Sequence, residues 1–375
     1  MNHKILSSDL EIIKSCNICE SKKFKTISNV FFKNKLNFFQ SKICLNCNYV
    51  FRSIRPKIQW FKKNWNSRFS FQQKNKVTYI NPKIEQFRIS RYKKIFDFLK
   101  KKNILKKNNK IIDIGCGTGS GLKQFSKLFN IYGLEADNSR GSIAKKNGIM
   151  VFDKSIENFN SKIKFDIVLC IQTLEHFHKP QEAINKINKM CKDLGYVYIE
   201  VPNIKHYVLS WHDSIYLAHL STFAVENLKM LLVKNSLIPI LETYPQTDNG
   251  EVNIGILARK NDTDFKIKKL SLKDKLTQKK RILKSYSIRK NKVFFNKFPI
   301  NINVNQINDI SLMVKPTKKI FKNVLKNIFI RDLKFNKNIQ KYEITQNDFK
   351  NEKIPNRNIL RTMKYIPIKN KIKVY

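Results

Sequence analysis

The chain has 375 residues, 42% of them hydrophobic, enough for two or three domains with a sizeable core, which excludes global disorder. Its formal net charge of +46 favours acidic ligands at low salt. No apolar run reaches 18 residues, which excludes a helical membrane span, and Met1 to Leu10 lacks the apolar centre of a secretory signal, so a cytoplasmic location is the expectation.

The charge does not by itself select nucleic acid. Lys outnumbers Arg about fivefold, whereas Arg leads in bidentate recognition of bases and phosphates. Asn, Ile, Phe and Tyr are abundant while Ala, Gly and Pro are scarce. That is the composition of A/T-rich coding sequence, which also enriches Lys on solvated surfaces.

In chain order, the first motif is a pair of knuckles, Cys16-x-x-Cys19 and Cys44-x-x-Cys47. Two such pairs a few tens of residues apart read as a zinc ribbon, and Phe24, Ile27, Val30, Phe31, Phe32, Leu36, Phe38, Phe39 and Ile43 between them suit short strands. Four thiolates fill a tetrahedron, so Zn²⁺ there is structural. Reduced buried cysteines or disulfides are the alternatives, the latter disfavoured in a cytosolic chain. Cys116, Cys170 and Cys191 are single and read as small buried hydrophobes.

Residues 57 to 80 read as a connector or partial lid, and Pro82 to Lys102 as an amphipathic helix with Ile84, Phe87, Arg91, Tyr92, Ile95 and Leu99 at helical spacing. Ile111-Ile112-Asp113-Ile114 then reads as a buried parallel strand that ends in an acid. It breaks into a loop, Gly115-Cys116-Gly117-Thr118-Gly119, where a ligand can approach bare backbone. Leu122 to Phe129 has helical spacing, with Leu122, Phe125, Leu128 and Phe129 on one face. A dinucleotide loop would need glycine at 120, where Ser stands. Asp113, two residues before the first glycine, suits a ligand with ammonium and sulfonium charge rather than a pyrophosphate.

Asn130 to Glu135 reads as a second strand ending in an acid, whose spacing also fits a dinucleotide ribose acid. Phe165 to Cys170 and Gly195 to Pro202 read as further strands. Thr222 to Lys234 reads as a helix, and Leu237 to Thr243 with Val252 to Ala258 as two last strands. Alternating strands and helices imply an α/β fold with a doubly wound sheet. Five of the six histidines, His176, His178, His206, His212 and His219, follow the strands Phe165 to Cys170 and Gly195 to Pro202, at the carboxyl ends that border the ligand crevice of such a sheet. From Asn261 the chain is Lys- and Asn-rich, with apolar clusters and no chemical motif.

With Asp113-Ile114-Gly115-Cys116-Gly117-Thr118-Gly119 the chain resembles a class I S-adenosylmethionine-dependent methyltransferase. The resemblance covers roughly residues 80 to 260, with Gln172-Thr173-Leu174-Glu175-His176-Phe177-His178-Lys179-Pro180 similar to the family's L-E-H-x-x-x-P segment. His219-Leu220-Ser221-Thr222-Phe223 resembles a His-containing segment before the family's next helix. It implies a Rossmann-like sheet and a site for S-adenosyl-L-methionine formed by Asp113, Gly115, Cys116, Gly117, Gly119, Glu135, Ser155 and Gln172. In the family the acid matching Glu135 bonds the ribose hydroxyls. Ser155 stands where the family usually has an acid near the adenine amino group, so its part is reduced to that of a hydroxyl. His176 or His219 is the expected general base, with Glu175 in reserve. The alternative reading of His176 is a helix cap or a brace for its loop. His178, His206 and His212 are read as surface or pocket-lining residues.

Cys44-Leu45-Asn46-Cys47-Asn48-Tyr49-Val50-Phe51-Arg52-Ser53-Ile54-Arg55-Pro56 resembles a segment of a bacterial methyltransferase group that carries an N-terminal zinc ribbon. That group is tied to sugar or surface-polysaccharide modification. The expected organisation is a ribbon with Zn²⁺ on Cys16, Cys19, Cys44 and Cys47 over residues 1–60, and a connector with the amphipathic helix over 61–109. The S-adenosylmethionine-binding domain follows over 110–260, and a basic C-terminal extension over 261–375. The resemblance implies methyl transfer to a small acidic metabolite, a sugar or nucleotide-linked sugar. The alternatives are an RNA methyltransferase gripping phosphates with its basic surface, which lacks an N-P-P-Y signature, and a non-catalytic scaffold.

Overall fold

A computed structural model describes residues 7–32, 37–69, 82–204, 218–245, 253–261, 266–269, 271–277, 279–280, 365–367 and 371–374. Contacts divide the chain into two units. One gathers the described residues of Met1–Lys62, Asn203–Ala224 and Ser271–Ile354; the other gathers those of Lys63–Pro202, Val225–Leu270 and Pro355–Tyr375.

The first unit is an antiparallel sheet. Strands β1 (Leu10–Ile12), β2 (Phe24–Phe32), β3 (Asn37–Cys44) and β4 (Val50–Pro56) run in the order β1-β4-β3-β2. Helix α1 (Ile58–Phe69) follows β4 where a connector was expected. Every residue of β4 is buried, which its sequence Val-Phe-Arg-Ser-Ile-Arg-Pro does not suggest. Buried guanidinium is costly without a counter-charge. Arg55 has one in Glu11, whose carboxylate accepts from its Nε at 2.7 Å.

The second unit is built on helix α2 (Pro82–Lys101) and strands β5 (Lys110–Ile114), β6 (Asn130–Leu134), β7 (Met150–Phe152), β8 (Phe165–Ile171) and β9 (Cys191–Pro202). These five strands are parallel, in the order β9-β8-β5-β6-β7. Helices α3 (Asn138–Lys146) and α4 (Pro180–Met190) provide crossovers. After helix α5 (Val225–Val233), strands β11 (Leu237–Thr243) and β12 (Asn253–Lys260) form an antiparallel hairpin that adds to β9. The short β14 (Tyr365–Pro367) lies on β11, and β13 (Lys266–Lys269) pairs with β15 (Lys371–Val374). The strand β10 (Ser221–Thr222) belongs to the first unit. Strand order reverses at β5 and β8, the topological switch point where open α/β sheets bind ligands.

Packing explains why α2 forms. Tyr92, Ile95 and then Phe98 and Leu99 lie three or four residues apart, and all are buried in one cluster with Ile111 of β5, Ile167, Leu169 and Ile171 of β8 and Tyr198 of β9. Each such side chain contributes about 1.5–3 kcal/mol relative to exposure. Ile84, placed on the same face by spacing, lies on the first turn and is exposed.

Two other expectations are corrected. The helix over Leu122 to Phe129 is a 3₁₀ turn at Leu122–Phe125, and Leu128 is exposed. Phe125 and Phe129 instead pack edge-on or tilted against Phe96, which a continued helix need not allow. The helix expected from Thr222 begins at Val225, because Ser221 and Thr222 are taken into a sheet.

Candidate functional site

The glycine loop lies at the switch point, directly after β5. Gly115, Gly117 and Gly119 have φ of 78°, 59° and 72°, the left-handed region that disfavours a side chain. At Gly119 a Cβ would also lie 2.8 Å from Ile149 and 3.2 Å from the backbone of Ala144, so glycine there is required twice over. At Gly117 a Cβ would find only the Arg88 guanidinium, at 3.4 Å. That is open backbone facing a cation.

Helix α2 roofs this loop. The Tyr92 hydroxyl donates to Asp113 Oδ2 at 2.6 Å, and the Thr118 hydroxyl donates to Glu85 Oε2 at 2.5 Å. Arg88 donates to Glu85 at 2.8 Å. The sequence reading missed Arg88 and Tyr92 as site residues. Their signal was present: four residues apart on one helix face, they place a cation and a phenol side by side.

Asp113 is fully buried, and burial pushes its carboxyl up to about 8. The Tyr92 hydroxyl and the Arg88 charge oppose that rise, while the charge of Glu135 adds to it. Glu135, at the end of β6, is also raised by burial. Its Oε2 accepts from Gly117 N–H at 2.8 Å and its Oε1 from Asp137 N–H at 2.9 Å, which ties the second strand to the loop and lowers the cost of its charge. Cys116 is a buried thiol raised by the same burial, and its sulfur fills the space beside Gly133.

Three side chains at the carboxyl ends of the parallel strands hold a buried polar atom without a hydrogen-bond partner among the described residues. They are Asp113 Oδ1 on β5, Ser155 Oγ after β7 and Gln172 Nε2 after β8. An orphaned polar atom costs about 1–3 kcal/mol. An acceptor, a hydroxyl and an amide donor left open at the ends of β5, β7 and β8 fit a ligand with ammonium, hydroxyl and heterocyclic groups. Gln172 is also held at φ 52°, a conformation rare outside glycine, and its N–H donates to the Glu200 carbonyl at 2.8 Å. Thr173 closes over Gly115, leaving 2.6 Å to a Cβ there.

The L-E-H segment forms a 3₁₀ turn at Leu174–His176. Glu175 is buried, and the carboxylate lies 3.8 Å from His176 Nε2, which is partly exposed. His178 is buried nearby in sequence. His219 falls in the other unit, just before β10. His206 and His212 lie outside the described residues.

A second buried polar cluster lines the same sheet. Glu200 of β9 accepts from Asn253 at 2.8 Å and lies 3.5 Å from Arg91 of α2. Burial raises its carboxyl; Arg91, Asn253 and Tyr198 hold it down.

In the first unit Cys16, Cys19, Cys44 and Cys47 bring their sulfurs within 4.8 Å of one another. Cys16 and Cys47 are 3.6 Å apart and Cys19 and Cys44 3.5 Å. A tetrahedron with metal–sulfur bonds of about 2.3 Å has edges of roughly 3.8 Å, so the cluster fits Zn²⁺. The knuckles share one hydrogen-bond pattern: Glu20 N–H to Cys16 O and Asn48 N–H to Cys44 O, then Cys16 N–H to Ser21 O and Cys44 N–H to Tyr49 O. Glu20 and Asn48 both take positive φ, 62° and 59°. Contact among the sulfurs, chiefly with Cys16, pulls the Cys44 thiol down to about 7. Four thiols so placed favour a dication that replaces their protons.

Residues 84–236 match a family model described as a methyltransferase domain. The ubiquinone biosynthesis O-methyltransferase of Pelagibacter ubique is 31% identical over 113 residues, covering 28% of this chain and 47% of that protein. Its counterpart in Rickettsia conorii is 27% identical over 119 residues, covering 27% of this chain and 41% of that protein. The chain thus spans less than half the length of either relative. The N-methyltransferase NodS of Bradyrhizobium japonicum, solved with S-adenosyl-L-homocysteine, is 13% identical with a TM-score of 0.41, covering 54% of this chain and 99% of that one. Among the described residues no helix is long and apolar enough to cross a membrane.

Proposed function

We propose, starting from a chain that carries a class I S-adenosylmethionine-dependent methyltransferase domain, that the protein methylates a small acidic metabolite, a sugar or nucleotide-linked sugar. The observation that carries the donor half is the set of orphaned buried atoms, Asp113 Oδ1, Ser155 Oγ and Gln172 Nε2, around open glycine backbone at the switch point. Asp113 would accept from the donor's ammonium group, and Glu135 from its ribose hydroxyls. Gly115, Cys116, Gly117 and Gly119 would pass under it, and Ser155 and Gln172 would meet its purine end. Arg88, beside Gly117, suits its carboxylate.

When bound, S-adenosylmethionine supplies a methyl group on a sulfonium whose departure leaves a neutral sulfide. The chain's task is therefore alignment and exclusion of water. An oxygen nucleophile must also lose a proton, and the relatives' printed names specify oxygen as acceptor. His176, with the Glu175 carboxylate beside it to stabilise an imidazolium, suits that role, as does His219. Zn²⁺ on Cys16, Cys19, Cys44 and Cys47 would be structural, since four thiolates leave no open position.

The sugar assignment is supported by the resemblance of the ribbon segment and by the basic charge, which favours phosphate-bearing acceptors. Titration calorimetry with S-adenosylmethionine tests the donor site. Asp113→Ala is expected to weaken binding about 10–100-fold, as loss of a charge-assisted hydrogen bond implies. Unchanged affinity would refute the assignment. Transfer of labelled methyl to a panel of nucleotide sugars, with RNA as competitor over a salt series, tests the acceptor. Labelled RNA with a steep inverse salt dependence would replace the sugar by nucleic acid.

A further inference from the structure

The four-cysteine ribbon is joined by hydrogen bonds to a distant segment of its own unit. Residues 218–224, which follow the methyltransferase sheet's strand β9 in sequence and carry His219, pack within the ribbon's unit. Strand β10 extends the ribbon sheet antiparallel to β4, with Ser221 opposite Phe51 and Thr222 opposite Val50. Arg52 N–H donates to Leu220 O, and Ile204 N–H to Phe223 O, both at 2.9 Å. Ile204 and Ala224 complete an apolar cluster with Ile43 and Val50.

The joint runs through one residue of the second knuckle. Tyr49 stands two positions after Cys47, and its carbonyl accepts from Cys44 N–H at 2.9 Å. Its fully buried ring lies 5.6 Å from both Phe51 and Phe223. Its hydroxyl pairs with Ser221 Oγ. A metal ligand, a knuckle backbone, a buried phenol and the residue two beyond His219 thus form one continuous contact path.

We propose that the ribbon is the positioning element of the His219 segment, with Tyr49 and Ser221 as its positioning residues, so that metal occupancy controls the order of that segment and leaves the donor loop unaffected. This rests on the methyltransferase reading only for the significance of His219. Ribbon and donor loop contribute separately: no donor-loop residue lies in the ribbon's unit. The ribbon is then a support for the His219 segment rather than an appended module.

The test uses the full chain, zinc-loaded and after removal of zinc by a chelator under reductant, followed by hydrogen–deuterium exchange. Peptides covering residues 50–52 and 218–224 are expected to exchange at least tenfold faster without zinc, while those covering 111–114 and 131–134 stay within twofold. Affinity for S-adenosyl-L-homocysteine is expected to hold within threefold. In the zinc-loaded protein, Tyr49→Phe and Ser221→Ala should each speed exchange at 218–224 with zinc content unchanged, and the double variant should be no faster than the singles. Tyr49→Phe should also shift the His219 imidazole resonances, assigned by their loss in His219→Gln. Unchanged exchange at 218–224, equal loss at 111–114, or additive single effects would overturn the proposal. Failure of the zinc-loaded wild type to bind S-adenosyl-L-homocysteine would overturn the methyltransferase reading instead, and the exchange pattern tells the two apart.

Discussion

Binding of a cationic methyl donor should expel a proton from Asp113. The carboxyl is fully buried and raised to about 8, so in the ligand-free protein it is neutral below that pH. A cation placed against it favours the charged form. At pH 7 about nine molecules in ten then hold a proton that binding must release, and affinity should rise about tenfold per pH unit up to pH 8. The linked stability has a definite sign. The folded value lies above the ordinary 3.8, so this contribution is fully present below pH 3.8 and is lost as pH rises through 8. Across that window the ligand-free fold should lose ~1.4 kcal/mol per pH unit from this group. Calorimetry at pH 5.5, 6.5 and 7.5, in paired buffers of different ionisation enthalpy, reads both affinity and proton release. Asp113→Asn keeps the shape and should flatten the pH dependence. A flat profile in the wild type, or an equal slope in Asp113→Asn, would refute the reasoning.

Tyr92→Phe removes the hydroxyl that holds the Asp113 carboxyl down, so the affinity profile should move to higher pH and thermal melts should show a loss of about 1 kcal/mol. Gly119→Ala meets both a left-handed backbone and Ile149 at 2.8 Å, and a loss of roughly 2–4 kcal/mol is expected in urea unfolding; less than 1 kcal/mol would show that the loop yields. Glu200→Ala strips Arg91 and Asn253 of their shared acceptor and should cost about 3 kcal/mol by the same measurement, whereas a loss near zero would mean that the pair contributes no net stability.

Features that rest on local chemistry were legible from the residues alone. A carboxylate-tipped apolar strand running into alternate glycines needs no partner to be recognised, because β-propensity and left-handed backbone are properties of the residues themselves. The same holds for α2, whose apolar spacing states its buried face, and for the cysteine knuckles, whose spacing fixes where four sulfurs can meet. Only the tertiary structure decided features that depend on long-range neighbours. Thr222 heads a helical stretch in sequence, yet pairing opposite Val50 makes it, with Ser221, a strand. Leu128 matches an apolar face, yet the turn that packs Phe125 and Phe129 edge-on or tilted against Phe96 leaves it in solvent. Gln172 is forced into positive φ while its N–H reaches the Glu200 carbonyl, and Tyr92 reaches Asp113 from 21 residues away. In each case the partner is supplied by chain distant in sequence, so periodicity within one segment has no means of registering it.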